Sequence, residues 1–174
     1  HHNNKEVKAI LPYTTELKAD NDSLKMDVSI LAQEACKRYS GISIRNIKIA
    51  ESPAWLQERL KSIGVKPISN IVDITNFILH ETGQPLHAFD ADKIKGSKII
   101  VRMAAEGEHF VTLDGKERKL LATDLMICNE RDGMCIAGVY GGMHSGISHE
   151  TKNIFIESAW FNPSYIRRTS LKHD

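Results

Sequence analysis

A chain of 174 residues suffices for one domain with a real core, or for two small interlocked ones. Its 41% hydrophobic share is that of a globular protein. With 23 Lys and Arg against 22 Asp and Glu, the net charge of +1 excludes a global attraction to nucleic acid or to an acidic membrane surface, so any RNA contact has to come from a local patch.

The residues up to 23 are polar and weakly patterned, and His1 and His2 read as the remnant of a purification tag. Residues 1–23 are therefore expected to be a tag remnant and N-terminal extension, and 24–174 the folded domain. The absence of an initiator Met and the abrupt end after a basic helix suggest a fragment of a longer chain. Leu24, Met26, Val28 and Ile30 alternate with polar residues, as do Ile42 and Ile44 and, after a slip in register, Ile47 and Ile49. This pattern predicts two half-buried strands, with Ser40-Gly41 as the turn between them.

Ser52 followed by Pro53 predicts a helix start, with Leu56, Leu60 and Ile63 as its buried stripe and Gly64 at its exit. A second helix is predicted from Asn70, with Asp73 reaching back to its start, Ile71, Ile74, Ile78 and Leu79 as its apolar face, and Gly83 as its stop. LHAF and SKIIVRM read as strands. Asp114-Gly115 predicts a hairpin between FVTL and KERKL, and Arg131-Asp132-Gly133 a second one from LMICN into MCIAGVYGG. FIESAWF is the last strand, and Asn162 and Pro163 open a basic helix. Strands joined mostly by tight turns, with few helices, define an α+β fold rather than a doubly wound parallel sheet.

Four features stand out chemically, each with an ordinary alternative. Thr75 and Asn76 place a hydroxyl and an amide on the inward side of a helix, where they can hold a water or an ester carbonyl; the alternative is back-bonding to the preceding turn or solvent exposure. His87 lies in an apolar strand after a Gly-Gln-Pro turn, either as a neutral group that orients water or as a satisfied core histidine. AGVYGG matches neither phosphate-loop pattern; Ala137 and Gly138 either let a ligand lie against bare backbone or merely bend a strand out of its sheet. Glu157 interrupts a strand that looks buried on both faces, where a carboxylate is costly unless paired: it either recognises a ligand hydroxyl, with small Ala159 leaving room, or forms an ion pair.

Cys36, Cys128 and Cys135 are odd in number and lack CxxC spacing, which gives no support to a disulfide framework or zinc knuckle and makes reduced thiols the default. No histidine spacing matches a metal motif, and none is expected. No apolar run reaches the roughly 18 residues of a membrane span, so no membrane partner is expected.

The runs SPAWLQERLKSIGVKPISNIVDITNFILHETGQPLHAFD, AGVYGG and FIESAWF together resemble the B3/B4 domain of the phenylalanyl-tRNA synthetase beta subunit, bacterial type. The resemblance covers nearly the whole chain from about residue 25. It implies a three-layer α+β sandwich with mostly antiparallel sheets and short helices, and a hydrolytic editing site that removes tyrosine wrongly esterified to the phenylalanine tRNA. By position, Thr75, Asn76 and His87 fall where the family places residues around the scissile ester and its water. Ala137 and Gly138 match the backbone wall near the aromatic ring, Glu157 the receptor for the tyrosine hydroxyl, and Ala159 a pocket-lining alanine. Where the family often has Arg in a GLRP run, this chain has Lys66, which keeps the charge but loses the bidentate fork. The resemblance implies no cofactor for the domain itself, with ATP and Mg in the full enzyme. Its implied partners are the tRNA acceptor end bearing tyrosine, the rest of the beta subunit and the alpha subunit, in the cytoplasm. The alternative of another class is a non-catalytic module that binds tRNA or braces subunits, for which Arg167, Arg168 and Lys172 would supply phosphate contacts.

Overall fold

The computed structural model describes residues 18–173. The expectations for His1, His2 and the first part of the polar extension lie outside these residues. In chain order the elements are β1 (Asp27–Ile30), β2 (Cys36–Ile44), α1 (Ala54–Ser62), α2 (Asn70–Thr82), β3 (Leu86–Asp90), β4 (Lys98–Met103), β5 (His109–Val111), β6 (Glu117–Lys119), β7 (Leu125–Cys128), β8 (Gly133–Ile136), β9 (Tyr140–Gly141), β10 (Ile154–Phe161) and α3 (Pro163–His173). Strands form a five-stranded sheet of order β1-β4-β7-β8-β9, a three-stranded sheet of order β2-β10-β3 and the hairpin β5-β6. Among the described residues only β1 and β4 run parallel and every other pair is antiparallel, in keeping with the α+β expectation.

The pleat explains how the layers close. In the five-stranded sheet Ile99, Val101, Leu125 and Ile127 point to one side and join Cys36, Phe89 and Phe155 of the three-stranded sheet in a shared core, with Tyr165 and Ile166 of α3 packed against it. Met126, Cys128 and Ile136 point to the other side and form a second core with Phe110 and Leu120 beneath the β5–β6 hairpin. α1 and α2 pack on each other, and α2 packs on β3, adding the helical layer. Both hairpins turn where the sequence placed them, and Gly83 ends α2 in the left-handed conformation, φ 77°, with its N–H on Leu79 O.

Several local expectations give way to tertiary packing. Ser40 and Gly41 are not a turn but the middle of the nine-residue β2. Gly41 stands there because a Cβ would overlap the ring of Phe155, so its small size serves a close approach rather than a bend. Residues 45–50 form no strand, and β1 begins only at Asp27, with Val28 exposed. Ser52 does not cap α1. Its hydroxyl donates to Asp73 Oδ2 at 2.6 Å, while Asp73 Oδ1 accepts from Ile68 N at 2.8 Å. Asp73 thus ties α2 to the segments before it instead of reaching back to Asn70. Ile63 and Ile74, both expected in buried stripes, are exposed; on α2 the fully buried side chains are Asp73 and Thr75.

Gly41→Ala is expected to destabilise the fold by about 1–3 kcal/mol through overpacking against Phe155. Urea unfolding checks this, and an unchanged midpoint would show that the ring swings clear at no cost.

Candidate functional site

The site lies at the start of β3, which stops short of the end of β10. β3 pairs with β10 from Ile154–Asp90 to Ser158–Leu86 and goes no further, so the end of β10 has no strand on that side. A cavity of about 500 Å³ opens there, lined by the Gly83–His87 approach, by Cys135, by the Gly138–Gly141 bend, by Glu157 and Ala159–Phe161, and by Pro163 and Ile166 of α3. Gln84 reaches in from the approach and donates through Nε2 to Ala159 O at 3.3 Å.

Strand register brings the two chemically capable groups together. Glu157 and His87 are direct cross-strand partners, so both side chains point to the same face, toward the five-stranded sheet. The His87 ring meets Phe89 edge-on at 4.4 Å between centroids, and a Cβ on Gly141 would sit 3.5 Å from His87 Cε1. Burial lowers the His87 pKa, so the imidazole is neutral at pH 7. Burial pushes the Glu157 carboxyl up to about 7, against a smaller downward pull from the Tyr39 hydroxyl. Among the described residues no Lys or Arg forms an ion pair with Glu157, and its Oε2 is buried without a hydrogen-bond partner. The ion-pair alternative is therefore not met there; what stands in the cavity is an acceptor short of a donor.

Gly138 is held in a tight turn that Val139 N closes on Ile136 O at 3.0 Å, with φ 66° at the position where glycine is favoured. Ile166 of α3 covers it, 3.3 Å from where a Cβ would lie. Ala159 lines the same cavity. Of the residues that the sequence singled out, the structure gathers His87, Gly138, Glu157 and Ala159. Ala137 sits next to them but is fully buried in the shared core, its N–H engaged by Leu125 O at 2.9 Å. Thr75 and Asn76 are not in the cavity wall: Thr75 is buried on α2 with its hydroxyl donating to Val72 O at 2.8 Å, the back-bond to the preceding turn, and Asn76 is half-buried. Lys66 is exposed in the α1–α2 connection, outside the wall.

Sequence reading missed Cys135, Gly141 and Tyr39. Cys135 carries its burial in the apolar run MCIA but no sign of a cavity. Tyr39 was hidden by the turn expected at Ser40-Gly41; a strand run on through that turn puts Tyr39 and Gly41 on one face. Among the described residues no three His, Cys, Asp or Glu side chains gather as metal ligands would.

Two larger sheets, a small hairpin and three helices make this an α+β domain, with a buried acid in the middle of the strand that centres the three-stranded sheet. The B3/4 domain family model matches residues 35–174, and the chain belongs to that family. It is similar to phenylalanine–tRNA ligase beta subunits: 49% identical over 171 residues to that of Bacteroides fragilis, covering 98% of this chain and 21% of that protein. To that of Porphyromonas gingivalis it is 57% identical over 147 residues, covering 84% of this chain and 18% of that protein. The chain thus spans about a fifth of the length of these relatives. An N-terminal fragment of the phenylalanyl-tRNA synthetase beta subunit from Pyrococcus horikoshii has the same fold, with a TM-score of 0.57 over 85% of this chain and 49% of that one, at 14% identity.

Because the Glu157 pKa of about 7 in the folded chain lies above its ordinary 4.5, the native state keeps this proton longer than the unfolded one. Stability from this group is then highest at acid pH and falls as pH rises from about 4.5 through 7, by on the order of 3 kcal/mol. Glu157→Gln is expected to remove that decline. Urea unfolding of both chains at pH 5 and pH 8 measures it, and parallel slopes would show that the carboxyl is not desolvated.

Proposed function

We propose that this chain is a hydrolytic editing domain, which deacylates tyrosine wrongly esterified to the phenylalanine tRNA as part of a phenylalanine–tRNA ligase. The observation that carries the reading is Glu157: a buried carboxyl that no Lys or Arg of the described residues pairs with, in the wall of a cavity large enough for an aromatic side chain. Membership of the B3/4 family and similarity to phenylalanine–tRNA ligase beta subunits support the same reading.

A pocket that selects phenylalanine discriminates against one added hydroxyl only about a hundredfold. A second pocket reverses the test. Tyrosine satisfies Glu157 with its phenol, whereas phenylalanine leaves the desolvated acid unpaired, at a cost of roughly 1–3 kcal/mol. Ala159 leaves room beside the acid, and the Gly138 turn presents bare backbone to the ring. Neutral His87, facing Glu157, orients the attacking water: the water oxygen bonds to the ester carbon, the bond to the ribose oxygen breaks, and that oxygen takes up the proton that the water gives up. An activated ester needs little beyond such positioning. In this reading Thr75 and Asn76 act through α2, Ala137 by fixing the Gly138 turn, and Lys66 from outside the pocket. The rest of the beta subunit and the alpha subunit supply the aminoacylation site with ATP and Mg, and the assembly works in the cytoplasm on a tRNA acceptor end. The alternative of a non-catalytic tRNA-binding or bracing module leaves the unpartnered acid without a purpose.

Deacylation of tyrosyl- and phenylalanyl-esters of the phenylalanine tRNA tests this. Glu157→Ala is expected to narrow the tyrosine preference by about ten- to two-hundredfold, and an unchanged ratio would leave Glu157 as an architectural residue. His87→Ala is expected to slow hydrolysis by about 10²–10⁴-fold without abolishing it, and equal rates would reject its role.

A further inference from the structure

A carboxylate that selects a ligand hydroxyl has to be held at a fixed angle, and no side chain in the cavity wall holds Glu157. Behind the wall lies Tyr39, whose Oη is buried and, like Glu157 Oε2, has no hydrogen-bond partner. One atom is a donor and the other an acceptor. Both belong to the same face of the three-stranded sheet, since Tyr39 pairs with Ala159 and Gly41 pairs with Glu157. Diagonal neighbours on one face are within reach of a long side chain. Gly41 puts no side chain between them, and Phe155 takes the space, its ring nearly parallel to that of Tyr39 at 9° with centroids 6.5 Å apart. The phenol is thereby propped by a residue of the strand that carries Glu157. Two unsatisfied buried polar atoms of opposite kind on adjacent strands are most cheaply satisfied by each other.

We propose that Tyr39 is the positioning residue of Glu157: its hydroxyl donates to Oε2 from behind the cavity and leaves the other carboxylate oxygen turned toward a ligand hydroxyl. The inference rests on the reading of Glu157 as the receptor for the tyrosine phenol. Among the described residues the titratable groups around the carboxyl are Tyr39 and Cys36 from β2, His87 from β3 and Cys135 from β8. Among them Tyr39 is the one whose hydroxyl pulls the carboxyl toward its ionised form. Cys36 and Cys135 are held protonated by burial and offer no comparable donor.

The test is a ¹³C NMR titration of the Glu157 carboxyl in the 174-residue chain, assigned with Glu157→Gln. Tyr39→Phe is expected to raise the midpoint by about half a pH unit, or roughly threefold in proton affinity. An unchanged midpoint overturns the proposal, because a merely structural Tyr39 would alter stability and not the proton. If Tyr39→Phe does not fold, 3-fluorotyrosine placed at position 39, a more acidic donor, has to lower the midpoint, and no change again overturns it. In deacylation, Tyr39→Phe is expected to raise KM for the tyrosyl ester about three- to tenfold with kcat nearly constant. A wild-type chain without tyrosyl-ester hydrolysis would defeat the editing reading alone, since the titration still decides whether Tyr39 holds Glu157.

Discussion

Everything in this molecule depends on β10 being paired along both edges. Its residues pair with β2 along one edge from Ile154 to Phe161 and with β3 along the other from Ile154 to Ser158, two strands separated in the chain by α1 and α2. Unpaired backbone groups at such depth are costly, so the register of β10 is fixed over nearly its whole length. That register decides which residues face the shared core and which face outward. It also sets Glu157 opposite His87, and the late start of β3 leaves the cavity beside them.

Burial is the common cause of the site's electrostatics, and it acts in one direction, against charge. It raises Tyr39 and Cys135, pushes Cys36 up to about 11 and Glu157 to about 7, and lowers His87. Asp124, a buried acid just before β7 of the five-stranded sheet, meets the opposite fate. Burial also pushes Asp124 upward, but it accepts from His173 Nε2 at 2.7 Å, Leu121 N at 2.9 Å and Thr169 Oγ1 at 2.8 Å, and the net pKa is lowered. These bonds fasten α3, which carries Ile166 and Pro163 into the cavity wall. One acid is satisfied and holds the frame; the other is left short of partners inside it. The three hydrogen bonds outweigh the cost of burial at Asp124, and nothing comparable does so at Glu157.

Much of the architecture was legible in the sequence because it depends on local chemistry. Asp114-Gly115 and Arg131-Asp132-Gly133 specify their hairpins, Gly83 its helix end, and Asn162-Pro163 the start of α3, since turn and cap geometry is set within a few residues. Glu157 was legible as an anomaly, because a carboxylate in an apolar strand is improbable wherever that strand is placed. The functional assignment rested on family resemblance, which the B3/4 match over residues 35–174 bears out for the family.

Only the tertiary structure decided what the remaining residues do. Gly41 has the chemistry of a turn and the surroundings of a strand, and the ring of Phe155 made the choice. Asp73 looked like a local cap and became a tether to Ser52 and Ile68. Thr75 lies on the inward side of its helix, as its spacing required, yet its hydroxyl satisfies itself on Val72 O and does not enter the cavity. Tyr39 was invisible as a neighbour of Glu157, because the two meet through cross-strand register between distant segments. The sequence by itself determined which residues are unusual for their local setting, since propensity and burial cost are properties of short stretches. Which unusual residues share a site was settled by strand pairing, because a shift of one residue in register would have turned Glu157 and His87 to opposite faces.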